Sequence, residues 1–460
     1  MAAPVNGQTA GVHRYTDETG KLAAAIVEAA LERVRAVPPL DGPRSAEALA
    51  HAVGETVTPE GLGHDEALRL FTDVLAPACI SVDFPRFLSF IPAAPTKASV
   101  LFDFVVGAMS IYGGSWLEGA GAAYAENQAL GWLADLAGLP EGAGGCFVSG
   151  GTAANLSGLV AARHTASQRR RDRPRRWVVL ASDQAHASVA SAARVMDVEL
   201  CLMPSTDHRL TGDDLDAAVA ELDPERRDGV FAVVASAGTT NLGVVDDLRG
   251  LGERCRANGW WYHVDAAYGG AGLAAPRVRP LFDGIDLADS LVIDPHKWLF
   301  APFDVAALLY RNPSLARAAH TQHAGYLEPI TSRDEWNPSD YAHHLSRRAR
   351  GLPFWFSLAT HGTEAYGRAV EQGVELARQA AERIERHPRL EKVWGPSLSI
   401  VLFRRTRWSS VDYRAWSDRL LEQGLAFVLP TVHEHETVLR FCFINPETTV
   451  DDIDLILDTL

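Results

Sequence analysis

The sequence predicts an α/β fold: a mostly parallel sheet with helices on both faces, followed by a smaller α+β unit. Three observations predict it. From about residue 85 to 310, short apolar runs alternate with helical segments of ten or more residues, the pattern of parallel strands joined by crossover helices. Distinctive Gly-, Asp- and His-bearing segments fall just after those runs, where ligands bind in such sheets. After Gly351-Leu352-Pro353 the texture changes to one long helical stretch and then widely spaced strands.

The elements follow in order. Residues 1–18 read as a frayed terminus. Residues 20–36 read as an amphipathic helix, with Leu22, Ile26, Ala29 and Val34 on one face and a stop at Pro38-Pro39. A second helix covers about 65–76, with Leu68, Phe71 and Leu75 at helical spacing. Together, residues 1–84 form a helical arm of the kind that packs on another domain or a second subunit. Residues 85–345 form the large domain, with strands at 146–148, 177–181, 230–236, 261–264, 291–293 and 305–310. Residues 346–460 form the small domain. It holds a helix over 354–386, a strand at 398–404, a helix at 411–423, strands at 427–429 and 438–443, and a last helix from Val450.

Composition excludes several classes. A net charge of −15 argues against nucleic acid and anionic membrane as partners. No apolar run approaches the roughly 20 residues of a membrane span, and Met1-Ala2-Ala3-Pro4-Val5 lacks the regions of a signal peptide. Cys79, Cys146, Cys201, Cys255 and Cys442 are scattered and odd in number, with no metal-ligand spacing. They read as free thiols in a reducing cytoplasm, and no metal is expected. The basic run from Arg169 to Arg176 sits between a helix and a strand and reads as a solvated connection.

Only four lysines stand against 39 arginines. Lys297 survives within Asp294-Pro295-His296-Lys297-Trp298, just after an apolar strand. A desolvated lysine amine forms a Schiff base where arginine does not, which points to carbonyl chemistry and to pyridoxal phosphate. Such an enzyme needs a carboxylate beside the pyridine nitrogen, a phosphate cradle and a group against the ring face. Asp265 ends the strand before Ala266-Ala267-Tyr268, and small Ala267 leaves room for a flat ring. Ser149-Gly150-Gly151-Thr152 opens a helix, so its backbone can approach an anion and Thr152 can cap. His186, in Asp183-Gln184-Ala185-His186, could stack on the ring, and Thr239-Thr240 could reach its substituents. Taken singly, each has an ordinary reading: a strand-end cap, a helix-opening turn, a satisfied loop histidine.

In this order the segments resemble the group II pyridoxal phosphate-dependent amino acid decarboxylases of fold type I, which include the aromatic L-amino acid decarboxylases. The resemblance implies a seven-stranded sheet in the large domain and an intertwined homodimer with active sites at the interface. It implies that Lys297 is the Schiff-base lysine, Asp265 the pyridinium partner and His186 the stacking histidine. Gly151, Thr152 and His296 match positions near the phosphate, and Thr240 and Ala267 match positions lining the ring. The implied reaction is decarboxylation of an L-amino acid to its amine and carbon dioxide.

Two departures matter. Relatives carry a mobile-loop tyrosine that returns a proton to Cα. Here the matching region, 330–341, has Tyr341 as its one tyrosine, displaced a few residues, with Tyr326 upstream. Tyr341 is the candidate proton donor, with packing as its other reading. In some relatives, loss of that loop tyrosine diverts the reaction to oxygen and an aldehyde. Asp294 stands where some relatives have asparagine. Segments 90–96 and 112–116 match substrate-pocket regions, the second across the dimer. Ile91, Tyr112 and Trp116 favour an apolar or aromatic substrate over glutamate, and Gly114, in place of an aromatic, implies a wider pocket. A decarboxylase for an acidic amino acid, an aldehyde synthase and a catalytically silent cofactor binder are the alternatives; the last would not need Lys297, Asp265 and His186 together.

Overall fold

Apolar runs become strands wherever both faces can be buried. The computed structural model describes residues 13–331 and 335–460. Seven strands form one sheet: β1 (Gly144–Val148), β2 (Val178–Ser182), β3 (Glu199–Met203), β4 (Val230–Ser236), β5 (Trp261–Asp265), β6 (Ser290–Ile293) and β7 (Ala306–Tyr310). Their order is β1-β7-β6-β5-β4-β2-β3. Strands β2 to β6 pair in parallel, whereas β7 is antiparallel to both β1 and β6. The alternation of side chains sends Val178 and Leu180 into one core and Val179 and Ala181 into the other.

The seventh strand, β3, has no counterpart among the sequence-read runs. It is the sheet edge and only partly buried, so its residues alternate too weakly to stand out from a loop. The Arg-rich run lies beside it as a connection, with Arg175 and Arg176 paired to Glu225 and Arg176 also to Glu199.

The second sheet is antiparallel, in the order β10-β11-β9-β8. Its strands are β8 (Leu390–Ser397), β9 (Ile400–Arg405), β10 (Pro430–His433) and β11 (Glu436–Cys442). Three expectations change here. The helix read over 354–386 is two helices, Leu352–His361 and Thr363–Arg386, broken at Gly362 with φ 75°, a conformation that glycine adopts freely. The strand read at 427–429 begins at Pro430 instead, because Phe427 bridges to Phe87. Strand β8 was hidden by Glu391, Lys392 and Pro396 on its exposed side.

At the N-terminus, helix Asp17–Arg35 carries a Thr16 capping box and ends before the prolines. None of its residues is buried. The helix expected over 65–76 stops early, at Leu70, and passes into a π turn, Phe71–Leu75, and a 3-10 turn at Ala76–Ala78 that contains Pro77. An additional short helix, Ala46–Val53, precedes it. Residues 1–12, read as part of the frayed terminus, lie outside the described residues, as do 332–334 of the loop 330–341. Among the described residues, no helix is long and apolar enough to cross a membrane, and all five cysteines are free.

Candidate active site

The carboxyl ends of the strands converge on one cavity of about 400 Å³. Strand β1 delivers Ser149 to Thr152, β2 delivers His186, β4 delivers Thr239 and Thr240, β5 delivers Asp265 and Ala267, and β6 delivers Asp294, His296 and Lys297. Every candidate cofactor residue read from the sequence lines this cavity.

Lys297 is fixed by its neighbour in the chain. Trp298 is fully buried and stacks on Tyr268, with centroids 5.5 Å apart at 17°. Truncating so large a buried ring costs roughly 3–5 kcal/mol, so the segment is firmly anchored. Lys297 Nζ lies 2.9 Å from Asp294 Oδ2. Burial opposes the Lys297 charge, but the adjacent Asp294 carboxylate outweighs it and holds the lysine pKa above its usual value. The same Oδ2 accepts from Gly151 N at 3.3 Å. Asp294 Oδ1 is buried with no hydrogen-bond partner, which leaves a polar position for a bound group to complete. His296 Nε2 is 3.7 Å from Asp294 Oδ2, and its Nδ1 is 2.7 Å from the Val305 carbonyl oxygen. Burial lowers the His296 pKa.

The cradle is built for close approach. A Cβ on Gly151 would come within 3.1 Å of Asp294 Oδ2 and 3.2 Å of the Ala267 Cβ. The helix Gly151–Arg169 starts from Gly150 with no side-chain cap. The capping role expected of Thr152 is therefore corrected: Thr152 sits inside the first turn, and the helix end is left open to an anion.

Asp265 ends a directed chain of donors that sequence reading missed. Trp261 Nε1 donates to Ser290 Oγ at 2.7 Å, and Ser290 Oγ lies 2.6 Å from His263 Nδ1. His263 Nε2 lies 2.9 Å from Asn155 Oδ1, and Asn155 Nδ2 donates to Asp265 Oδ2 at 2.8 Å. Burial pushes the His263 pKa down to about 4 despite the nearby Asp265. The imidazole is therefore neutral at pH 7: its Nε2–H donates toward Asn155 and its Nδ1 accepts from Ser290. Ala267 N holds the other carboxylate oxygen at 3.1 Å. The signals were present but faint: Asn155 is one helical turn beyond Gly151, and His263 shares the strand face of Asp265.

His186 serves two ends at once. Its Nδ1 accepts from Ser188 N at 3.2 Å and caps the helix Ala187–Met196, while the side chain lines the cavity. Thr240 is held through its backbone, where its carbonyl accepts from Arg440 Nη2 at 2.6 Å. Arg440 also donates to the carbonyls of Asn241 and Phe90, so it clamps loops and does not face the cavity. Phe303 and Asp304, not anticipated, also line the cavity.

One expectation is not met within the chain. Tyr341 is not brought to the cavity of its own chain: it is 4% exposed, in the core beneath the sheet, and stacks on Trp336 with centroids 4.3 Å apart. Its backbone carbonyl accepts from Tyr310 at 3.0 Å. A Cβ on Gly114 would lie 2.4 Å from the Tyr112 ring of the same chain.

A family model described as "Pyridoxal-dependent decarboxylase conserved domain" matches residues 58–406. The chain belongs to the pyridoxal-dependent decarboxylase family. Its residues fit the family's cofactor: a glycine at the cradle where a Cβ would crowd Asp294 and Ala267, an orphaned polar atom beside it, and a half-buried lysine and aspartate on the same cavity. The enzyme is a carboxy-lyase and its cofactor is pyridoxal 5'-phosphate. The chain is 31% identical over 421 residues to an aromatic-L-amino-acid decarboxylase of Bacillus atrophaeus, covering 89% of this chain and 87% of that one. It is 27% identical to a 3,4-dihydroxyphenylacetaldehyde synthase of Aedes aegypti, covering 84% and 77%. The fold matches a structure of Oryza sativa TDC with PLP and tryptamine at TM-score 0.88 and 24% identity, covering 100% of this chain and 99% of that one.

Proposed function

We propose that this decarboxylase acts on an L-amino acid with an aromatic or other apolar side chain, giving the amine and carbon dioxide. The observation that carries the reading is the convergence of Lys297, Asp265 and His186 on one cavity. Lys297 would hold the cofactor aldehyde through its Nζ amine. Asp265 would face the pyridine nitrogen, and the Asn155 and Ala267 contacts orient its carboxylate. His186 would lie against the ring, Thr240 and Ala267 would line it, and Gly151, Thr152 and His296 would hold the phosphate; all line the one cavity. When bound, pyridoxal phosphate supplies the electron sink for the bond that breaks at Cα. The aromatic preference is supported by the Bacillus relative's name; Ile91, Tyr112 and Trp116 do not line the cavity within this chain.

The enzyme works as a homodimer in the cytoplasm. Helix Asp17–Arg35 leaves its apolar side uncovered within the chain. Phe104, Met109 and Tyr124 are each at least 60% exposed, a patch suited to a second copy.

One observation favours a second reading. Tyr341, the expected proton donor to Cα, is buried away from the chain's own cavity. Aldehyde synthesis would then consume one O2 and one water per turnover and release carbon dioxide, ammonia and hydrogen peroxide with the aldehyde. A panel of L-tryptophan, L-tyrosine, L-phenylalanine, L-histidine, L-glutamate and L-2,4-diaminobutyrate, read by mass spectrometry, decides. An aromatic substrate is expected to exceed L-glutamate in kcat/KM by about 100-fold and to yield amine without peroxide. L-glutamate as the best substrate overturns the substrate class; aldehyde with peroxide establishes the second reading.

A further inference from the structure

Two tight turns meet on the surface where the large sheet's connections face the small sheet. The first carries Asp207 and His208, closed by Arg209 N donating to the Thr206 carbonyl at 3.0 Å. The second is the two-residue hairpin turn Glu434-His435 between β10 and β11, closed by the pairing of His433 with Glu436. All four turn residues are non-glycine with positive φ: 49° and 61° in the first turn, 47° and 70° in the second. Such backbone is uncommon and, where it recurs, is a pointer to function.

The side chains that converge there are metal-ligand types. His208 Nε2 lies 3.4 Å from Glu434 Oε1. The His208 and His433 rings are 4.9 Å apart, and one ligand atom from each of His208, His433 and Glu434 lies within 4.8 Å of the others. Ligands on a tetrahedral zinc ion stand roughly 3.3 Å apart, given metal–ligand bonds of about 2.0–2.1 Å. The His208–Glu434 pair already has that spacing, and the Glu434 side chain, 70% exposed, is free to adjust. Trp394 packs edge-on against His208 at 5.3 Å and braces the imidazole.

We infer that His208, His433 and Glu434 form a binding site for a divalent transition metal ion, with zinc as the best fit. Two imidazoles and one carboxylate suit zinc, copper or nickel and not the hard cations calcium and magnesium, which need a shell of oxygens. The fourth position faces solvent. Bound metal would staple the two turns together. The hairpin is already tied to the cavity wall, since Asn241 Nδ2 donates to the Val432 carbonyl at 3.2 Å and Thr431 Oγ1 to Asn241 Oδ1 at 3.0 Å. Asn241 directly follows the cavity-lining Thr240, so the staple stiffens that wall from outside.

The test uses untagged holoenzyme treated with chelator, desalted and titrated with zinc chloride by calorimetry, with thermal melting in parallel. One zinc per chain and an upward shift of the melting midpoint are expected, with no shift from magnesium chloride. Glu434→Ala, a surface change, and His208→Gln should each weaken zinc binding by more than about tenfold and leave cofactor absorbance intact. His433→Gln is a third arm, read only if its melting curve without zinc matches the parent. Unchanged zinc affinity in both Glu434→Ala and His208→Gln, or no saturable binding in the parent, overturns the site.

Discussion

Replacing Lys297 with alanine will lower kcat by about 10⁴-fold or more and remove the visible absorbance band of the bound cofactor. Lys297 is the one lysine among the residues lining the cavity. Lys392 is paired with Glu385, and Lys97 lines a separate cavity. Lys297→Arg will do no better, because a guanidinium stays protonated and does not attack an aldehyde. The parent amine is held charged by Asp294, so its reaction requires that proton to leave. Normal melting of the variant separates chemical loss from unfolding. A persistent band and retained turnover would show that another group holds the cofactor.

Replacing Asp265 with asparagine will cost about a thousandfold in kcat with a small change in KM. The substitution keeps the shape and removes the charge at the end of the Trp261, Ser290, His263 and Asn155 chain. That chain presents an N–H of Asn155 to the carboxylate and so suits an anion there. An amide offers weaker electrostatic support to a protonated ring nitrogen, and the ring becomes a poorer electron sink. The altered spectrum of the bound cofactor is the second readout, because simple misfolding would release the cofactor instead. A loss below tenfold with an unchanged spectrum would remove Asp265 from the chemistry.

How legible these residues were depended on where physics concentrates the signal. Strands such as β4 are buried on both faces and read directly as apolar runs. The edge strand β3 and strand β8 are half-solvated, and their mixed composition concealed them. Lys297, Asp265 and His186 were legible because each follows a strand end, and parallel topology brings strand ends together. The support behind Asp265 was fainter: His263 shares its strand, but Asn155 and Ser290 come from other elements and no local pattern joins the three. Tyr341 misled for the opposite reason: its position in the chain is near a loop, but the ring is drawn into the core against Trp336.

Reduction of the holoenzyme with borohydride, followed by digestion and peptide mass mapping, tests the assignment of the site most directly. The reduced cofactor should be found on the peptide containing Lys297, at one per chain. Label on the peptide of Lys21, Lys97 or Lys392, or on none, would contradict it.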